Sequence, residues 1–151
     1  MLPALVLAAA GSTATQFYDD FAGSWICGNA TNHATWRIDS APGDYWTTVV
    51  YGDSARPDGH AYVGYLEQEG VYVYNDYHAD GSLARLTANP PSDHTWVWTG
   101  TYFPYGGAAD DTPYISWKLL PNGTIARTFG KRVNGRVTEL GSDTCRQAPK
   151  A

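Results

Sequence analysis

The sequence predicts an all-β chain, folded as a single up-and-down antiparallel β-barrel of eight to ten strands with a short N-terminal helical turn. Three observations predict it. Turn signals recur at short, fairly even intervals from Pro42 to Gly135. The runs between them are rich in Tyr, Trp, Val and Thr, side chains that suit a pleated surface. Only Gln16 to Ala22, with Phe17 and Phe21 four apart, carries the 3.6-residue apolar period of a helix. That turn is expected to plug one barrel end.

The elements follow in order. Candidate strands are Ser24–Cys27, Ala34–Ile38, Tyr45–Tyr51, Ala61–Leu66, Val71–Tyr77, Leu83–Thr87, Thr95–Thr101, Tyr114–Leu119, Ile125–Gly130 and Arg136–Leu140. The first two can also be read as one long bent strand. Asp-Gly and Asn-Gly pairs at Asp58-Gly59, Asp80-Gly81, Asn122-Gly123 and Asn134-Gly135 admit the positive φ angles of tight hairpins. A meander of this size closes on itself because closure removes its adhesive edges. Gly106 to Thr112 is the longest polar stretch and reads as a mobile loop. Several strands, such as Val71-Tyr-Val-Tyr74 and Trp96-Val-Trp98, are apolar on both faces. Strand parity therefore stays open. Aromatic side chains beyond a small core's needs must be capped by loops, shared with a partner, or set along a cavity.

The chain has 151 residues, enough for one domain. We divide it into a signal-like or disordered segment over 1–15, a barrel domain over 16–147 and a tail over 148–151. A net charge of -5 without any basic run argues against nucleic acid as a partner. Met1 to Ala10 is apolar and small, and Gly11 to Gln16 is small and polar, like the core and cleavage site of a secretory signal that lacks its basic start. About ten residues fall well short of the roughly twenty a spanning helix needs, so no membrane span is expected. Cys27 and Cys145 are the only cysteines. In an oxidising compartment such a pair forms a disulfide, here clipping the first strand to the end of the last. Two buried free thiols, or a nucleophilic Cys145 beside Arg146, are the alternatives. Secretion or a periplasmic location is the expectation.

Phe21-x-Gly23-x-Trp25 after a helical turn resembles the first signature of the lipocalins, within the calycin superfamily. The layout from Phe17 to Gln147, with its Trp-rich middle and late Ser142-Asp-Thr-Cys145, is closer still to small exported bacterial lipocalin-like barrels of no assigned activity. The resemblance implies that Trp25 packs under a late-strand Arg, for which Arg127 is the best match. Arg127 alternates with Ile125 and Phe129, so it stands on the apolar side of its strand. It then either stacks on Trp25 and bonds backbone carbonyls, or meets a ligand carboxylate with its forked donors.

Candidates for a ligand wall are Trp36, Trp46, Tyr62, Tyr72, Tyr74, Trp96, Trp98 and Tyr102, with Arg127 or His78 as the polar contact. His78 alternates with Tyr72, Tyr74 and Asp76, which puts two phenols, a carboxylate and an imidazole on one strand face. His78, Tyr74 and Asp76 are the catalytic candidates if the cavity does acid–base chemistry. His33, His60 and His94 read as strand-end residues. No His-x-His or His-Glu-x-x-His pattern, Gly-x-Ser-x-Gly elbow or Gly-Lys phosphate loop occurs, and no His lies in the last third for haem. Neither a metal nor a cofactor is expected. Asn29-Ala-Thr31 and Asn122-Gly-Thr124 matter only in a eukaryotic secretory pathway. Three functions compete: an exported barrel binding a small apolar or aromatic ligand; a cofactor-free isomerase, cyclase or lyase; and an envelope or glycan interaction module. An outer aromatic face can equally be a homodimer seam.

Overall fold

The computed structural model describes residues 13–28, 33–41, 45–52 and 57–150. The signal-like stretch before Thr13, the Pro42–Asp44 turn and Asn29 lie outside these residues. A 3-10 turn at Thr13–Thr15 runs into α1 (Gln16–Phe21). Ten strands follow among the described residues: β1 (Gly23–Gly28), β2 (His33–Ser40), β3 (Trp46–Gly52), β4 (Pro57–Leu66), β5 (Val71–His78), β6 (Leu83–Ala88), β7 (Thr95–Phe103), β8 (Pro113–Leu119), β9 (Ile125–Val133) and β10 (Arg136–Gln147). Each pairs antiparallel with its neighbour in sequence, and β1 pairs with β10, closing the barrel. No described helix is long and apolar enough to cross a membrane.

Turn chemistry and the meander agree. Asn134 and Gly135 both hold positive φ, at 50° and 75°, the two-residue turn that matches strand twist. Gly106–Thr112, expected as a mobile loop, is instead tied back to β7. Tyr102 and Asp110 exchange backbone hydrogen bonds of 2.8 Å, and the Asp110 carboxylate accepts from the Thr112 amide and hydroxyl.

Period-two alternation settles which face is inside. On β5, Tyr72, Tyr74 and Asp76 are buried while Tyr77 is exposed. β7 buries Trp96 and Trp98 and exposes Val97. The interior is filled in layers. At one end α1 lies across the opening with Phe17 and Phe21, one helical turn apart, pressed on Trp96 at 5.3 and 6.0 Å between ring centres. Hydrogen bonds lock this plug. The Trp25 indole donates to the Phe21 carbonyl and the Trp96 indole to the Asp20 carboxylate, each at 2.8 Å. Phe21 is fully buried. Phe21→Ala is therefore expected to lower stability by about 3–5 kcal/mol, because the rigid rings around it close the void only partly. A urea titration checks this; a loss below about 1 kcal/mol would show that the plug is loosely seated.

Cys27 and Cys145 face each other across β1 and β10 and form the disulfide, with Cα atoms 3.9 Å apart. Neither is a free thiol, so the nucleophile alternative is set aside.

Candidate functional site

Beyond the aromatic layers under α1, the interior is not filled. A cavity of about 240 Å³ lies toward the opposite end. Its walls come from every second residue of seven strands: Trp36 on β2, Tyr51 on β3, Tyr74, Asp76 and His78 on β5, Leu86 on β6, Trp98 on β7, Ile115 and Trp117 on β8, and Phe129 on β9. Apolar surface dominates, with the polar groups gathered on β5 and β3, which flank β4.

The polar groups form one chain. The Tyr51 hydroxyl donates to Asp76 Oδ2 at 2.8 Å. His78 Nε2 lies 3.1 Å from the same oxygen. His78 Nδ1 lies 2.7 Å from the Ser82 hydroxyl, which is itself 2.6 Å from Asp80 Oδ1. Directions follow from proton count. A carboxylate only accepts, so Ser82 gives its single proton to Asp80 and must accept from His78 Nδ1. The Ser82 bonds hold the Asp80 carboxyl below its ordinary pKa, which keeps it an acceptor. Nδ1 is thus a donor, and Nε2 faces Asp76 Oδ2. The β5–β6 turn thereby fixes the orientation of the imidazole beside Asp76.

Burial raises the pKa of the Tyr51 and Tyr74 phenols well above the usual tyrosine value, and the nearby Asp76 charge adds to this. Both therefore stay neutral in the folded protein. The consequence for stability has a definite sign. Above about pH 10 the unfolded chain releases these protons and the folded chain keeps them, so stability falls with rising pH. The expected slope is about -1.4 kcal/mol per pH unit for each such tyrosine. Denaturant midpoints between pH 9 and 12, for the parent and for Tyr74→Phe, measure it; an identical slope in both would contradict the assignment.

Arg127 is buried, at 5% exposure, and lies behind the cavity wall. Its Nε and Nη2 donate to the two oxygens of Asp143 at 2.7 and 2.6 Å. Its guanidinium carbon sits 4.5 Å from the Trp36 ring centre and 5.1 Å from that of Phe129. Stacking on Trp25 was the expectation; the ring under the guanidinium is Trp36. The register explains it. Cys27, Cys145 and Ile125 form one row across β1, β10 and β9, with Trp25 one step to the α1 side and Arg127 one step to the other. The disulfide row separates the two residues. The carboxylate that Arg127 meets belongs to the chain's own Asp143.

Of the residues singled out from sequence, Trp36, Tyr74, Asp76, His78 and Trp98 meet at the cavity. Tyr102 stands beside His78, ring centres 5.9 Å apart. Tyr72 and Trp96 point inward but are fully buried in the layer under α1, 4.6 Å apart. Trp46 and Tyr62 lie outside the barrel, at 37% and 40% exposure. β3 turns Thr47, Val49 and Tyr51 inward, which sends Trp46 out to lie flat on Gly64, where a Cβ would come within 2.5 Å of the indole. Tyr62 stacks on His60 on the same outer surface. Sequence reasoning missed Tyr51, Leu86, Ile115, Trp117 and Phe129 as wall residues. Their signal was the alternation itself: Phe129 shares parity with Arg127, and Tyr51 with Val49.

Four buried side-chain polar atoms have no hydrogen-bond partner among the described residues: Trp36 Nε1, Trp98 Nε1, Asp76 Oδ1 and Arg127 Nη1. Three belong to cavity-wall residues and the fourth to the Arg stacked on one. Leaving such atoms unpaired costs roughly 1–3 kcal/mol each. No cluster of three or more His, Cys, Asp or Glu suited to a metal occurs among the described residues. Compared with protein-family models and with curated protein sequences, the chain matches none.

Proposed function

We propose that this protein is an exported lipocalin-like barrel that binds a small aromatic molecule inside its cavity. The observation that carries the reading is the cavity: about 240 Å³ of space walled by the rings of Trp36, Tyr51, Tyr74, Trp98, Trp117 and Phe129, beside the aromatic core under α1. Flat walls of this kind supply area and offset or edge-on ring contacts to a flat guest. The closed barrel, the helix across one end and Gly23-x-Trp25 on β1 support the lipocalin likeness. The buried disulfide supports secretion or a periplasmic location.

The test is direct, because three wall residues are tryptophans. Titration with naphthalene-sized aromatics is expected to change tryptophan emission saturably. Leu86→Phe, which places a ring in the cavity, is expected to weaken binding at least tenfold with the far-ultraviolet circular dichroism unchanged. Equal binding by this variant would place the ligand elsewhere.

A second reading has its own observation. The Tyr51–Asp76–His78–Ser82 chain presents an acid–base pair to the cavity. That arrangement suits cofactor-free proton transfer in an isomerisation, cyclisation or lyase reaction. Turnover that follows pH and is lost in His78→Ala would favour it; turnover retained in both His78→Ala and Tyr74→Phe would count against it.

A further inference from the structure

The barrel closes unevenly, and the unevenness leaves one strand edge free. We propose that the free edge of β10 docks an extended acidic segment of another polypeptide, which adds to it as a strand. The proposal does not depend on the cavity.

The edge follows from strand lengths. β10 has 12 residues and β1 has 6. On one side β10 pairs with β9 from Arg136 to Cys145. On the other side β1 meets it only at Cys145, Arg146 and Gln147. β1 then turns away, since Gly28 pairs with His33 of β2. From Arg136 to Thr144, no described strand pairs with the outer side of β10. Every residue from Arg136 to Ser142 is exposed. A Cβ added at Gly141 would meet no atom within 4 Å. Along an antiparallel edge, alternate residues turn their amides and carbonyls away from the one partner and leave them open to another. The register slips between Glu139 and Gly141, so Leu140 forms a bulge. The bulge bends the edge and divides it into two runs without covering either.

Side chains beside the edge set the chemistry of the occupant. Lys131, Arg132 and Arg136 gather three of the chain's ten Lys and Arg residues here, in a protein of net charge -5. Lys131 pairs with Thr138, two residues from Arg136, so Lys131 and Arg136 share one face of the β9–β10 ribbon. Lys131 has only a long contact of 3.9 Å to Asp110. Neither Arg132 nor Arg136 has an ion-pair partner among the described residues. Val137 and Leu140 are exposed as well and offer apolar contact. A strand with a carboxylate at every second position would bring all its charge to the Lys131–Arg136 face while its backbone took the free edge.

A second copy of the chain fits less well. Antiparallel neighbours face each other on the same side of a sheet, so a two-fold copy pairs residues an even number apart. Arg136 and Glu139 are three apart and lie on opposite faces. Asp143, beyond the bulge, is engaged with Arg127. Self-pairing therefore gives Arg136 no carboxylate.

The test uses the intact, oxidised protein and dye-labelled peptides of four Glu-Thr or four Lys-Thr repeats, read by fluorescence anisotropy. The Glu peptide is expected to bind saturably, and the Lys peptide at least about tenfold more weakly. Methylating every second amide of the Glu peptide, in either of the two settings, separates backbone pairing from charge; one setting should cost about tenfold or more. Arg136→Glu, at an exposed position, should reverse the preference between Glu and Lys. Leu86→Phe should bind the Glu peptide as the parent does. Amide hydrogen exchange by NMR gives the structural readout: alternate amides from Arg136 to Thr144 should exchange fast in the free protein and slow with the peptide. Absence of binding by the Glu peptide overturns the proposal. Equal binding by both methylated forms reduces the site to charge alone and overturns strand addition. Loss of binding in Leu86→Phe places the peptide in the cavity instead. Edge amides already slow in the free monomer show an edge covered by the chain itself. A dimer in analytical ultracentrifugation that excludes the peptide assigns the edge to a second copy, and each of these three results overturns the proposal.

Discussion

Asp143→Ala is expected to destabilise the barrel by about 3–5 kcal/mol, among the largest losses a single substitution here should cause. The Arg127 guanidinium is 95% removed from solvent by its 5% exposure, and Asp143 is its bidentate partner. Removing the carboxylate leaves a positive charge in an aromatic layer with only ring faces for company. Trp36 and Phe129 offer cation–π attraction, but that is worth about 1–2 kcal/mol and cannot replace two charge-assisted bonds. For a chain of 151 residues the loss corresponds to a fall in Tm on the order of 10 °C. Removing both partners is a different experiment. Arg127→Met with Asp143→Leu takes away the desolvation cost with the bond, so the double variant is expected to be considerably more stable than Asp143→Ala. A double-mutant cycle in urea reads the coupling directly. If Asp143→Ala loses less than about 1 kcal/mol, the guanidinium has found water or another acceptor, and its role in holding Trp36 at the cavity wall falls too.

The contrast between Arg127 and Trp25 shows where sequence reasoning reached its end. That Arg127 faces inward was legible, because alternation with Ile125 and Phe129 is local. Which ring it meets was not, because that depends on register between β10 and its two neighbours. One step along β10 separates Asp143 from the disulfide row, and nothing near Arg127 in the chain records that offset. The barrel itself was legible for the opposite reason: turn chemistry and short aromatic runs are local and repeat many times. Trp46 and Tyr62 mark a third case. A strand with large side chains on both faces does not announce its inner one, and size favours the wrong choice. On β3 the Trp46 ring settles on the outside against Gly64 of β4, whose missing side chain leaves room for it. Tyr51, the smaller ring, goes in because Asp76 can accept its hydroxyl proton. His78 was readable as a candidate from its spacing to Asp76. Its second partner Ser82 was not, since that contact depends on how the Ala79–Gly81 turn folds back.

Replacing both Cys27 and Cys145 with alanine is expected to cost about 5 kcal/mol. The bond joins residues 118 apart, and closing so long a loop removes much of the denatured chain's freedom. In the chain-entropy account the loss falls on the unfolded state, so the folded barrel should survive it with its hydrogen bonds intact. β1 still pairs with β10 through Trp25, Ile26 and Cys27, and with β2 along its whole length. The expected picture is therefore a large drop in urea midpoint with an almost unchanged native circular dichroism spectrum. Reduction should show the other side of the same fact. Both cysteines are buried, at 3% and 1% exposure, so a thiolate must wait for the barrel to open before it can attack. Native protein in dithiothreitol is expected to keep the bond far longer than protein in denaturant, with a rate that tracks global unfolding. Free thiols that appear quickly in native buffer would mean that β1 and β10 separate locally. In that event the seam, rather than the plugged end under α1, would be the weak point of the barrel and the natural route by which a guest enters.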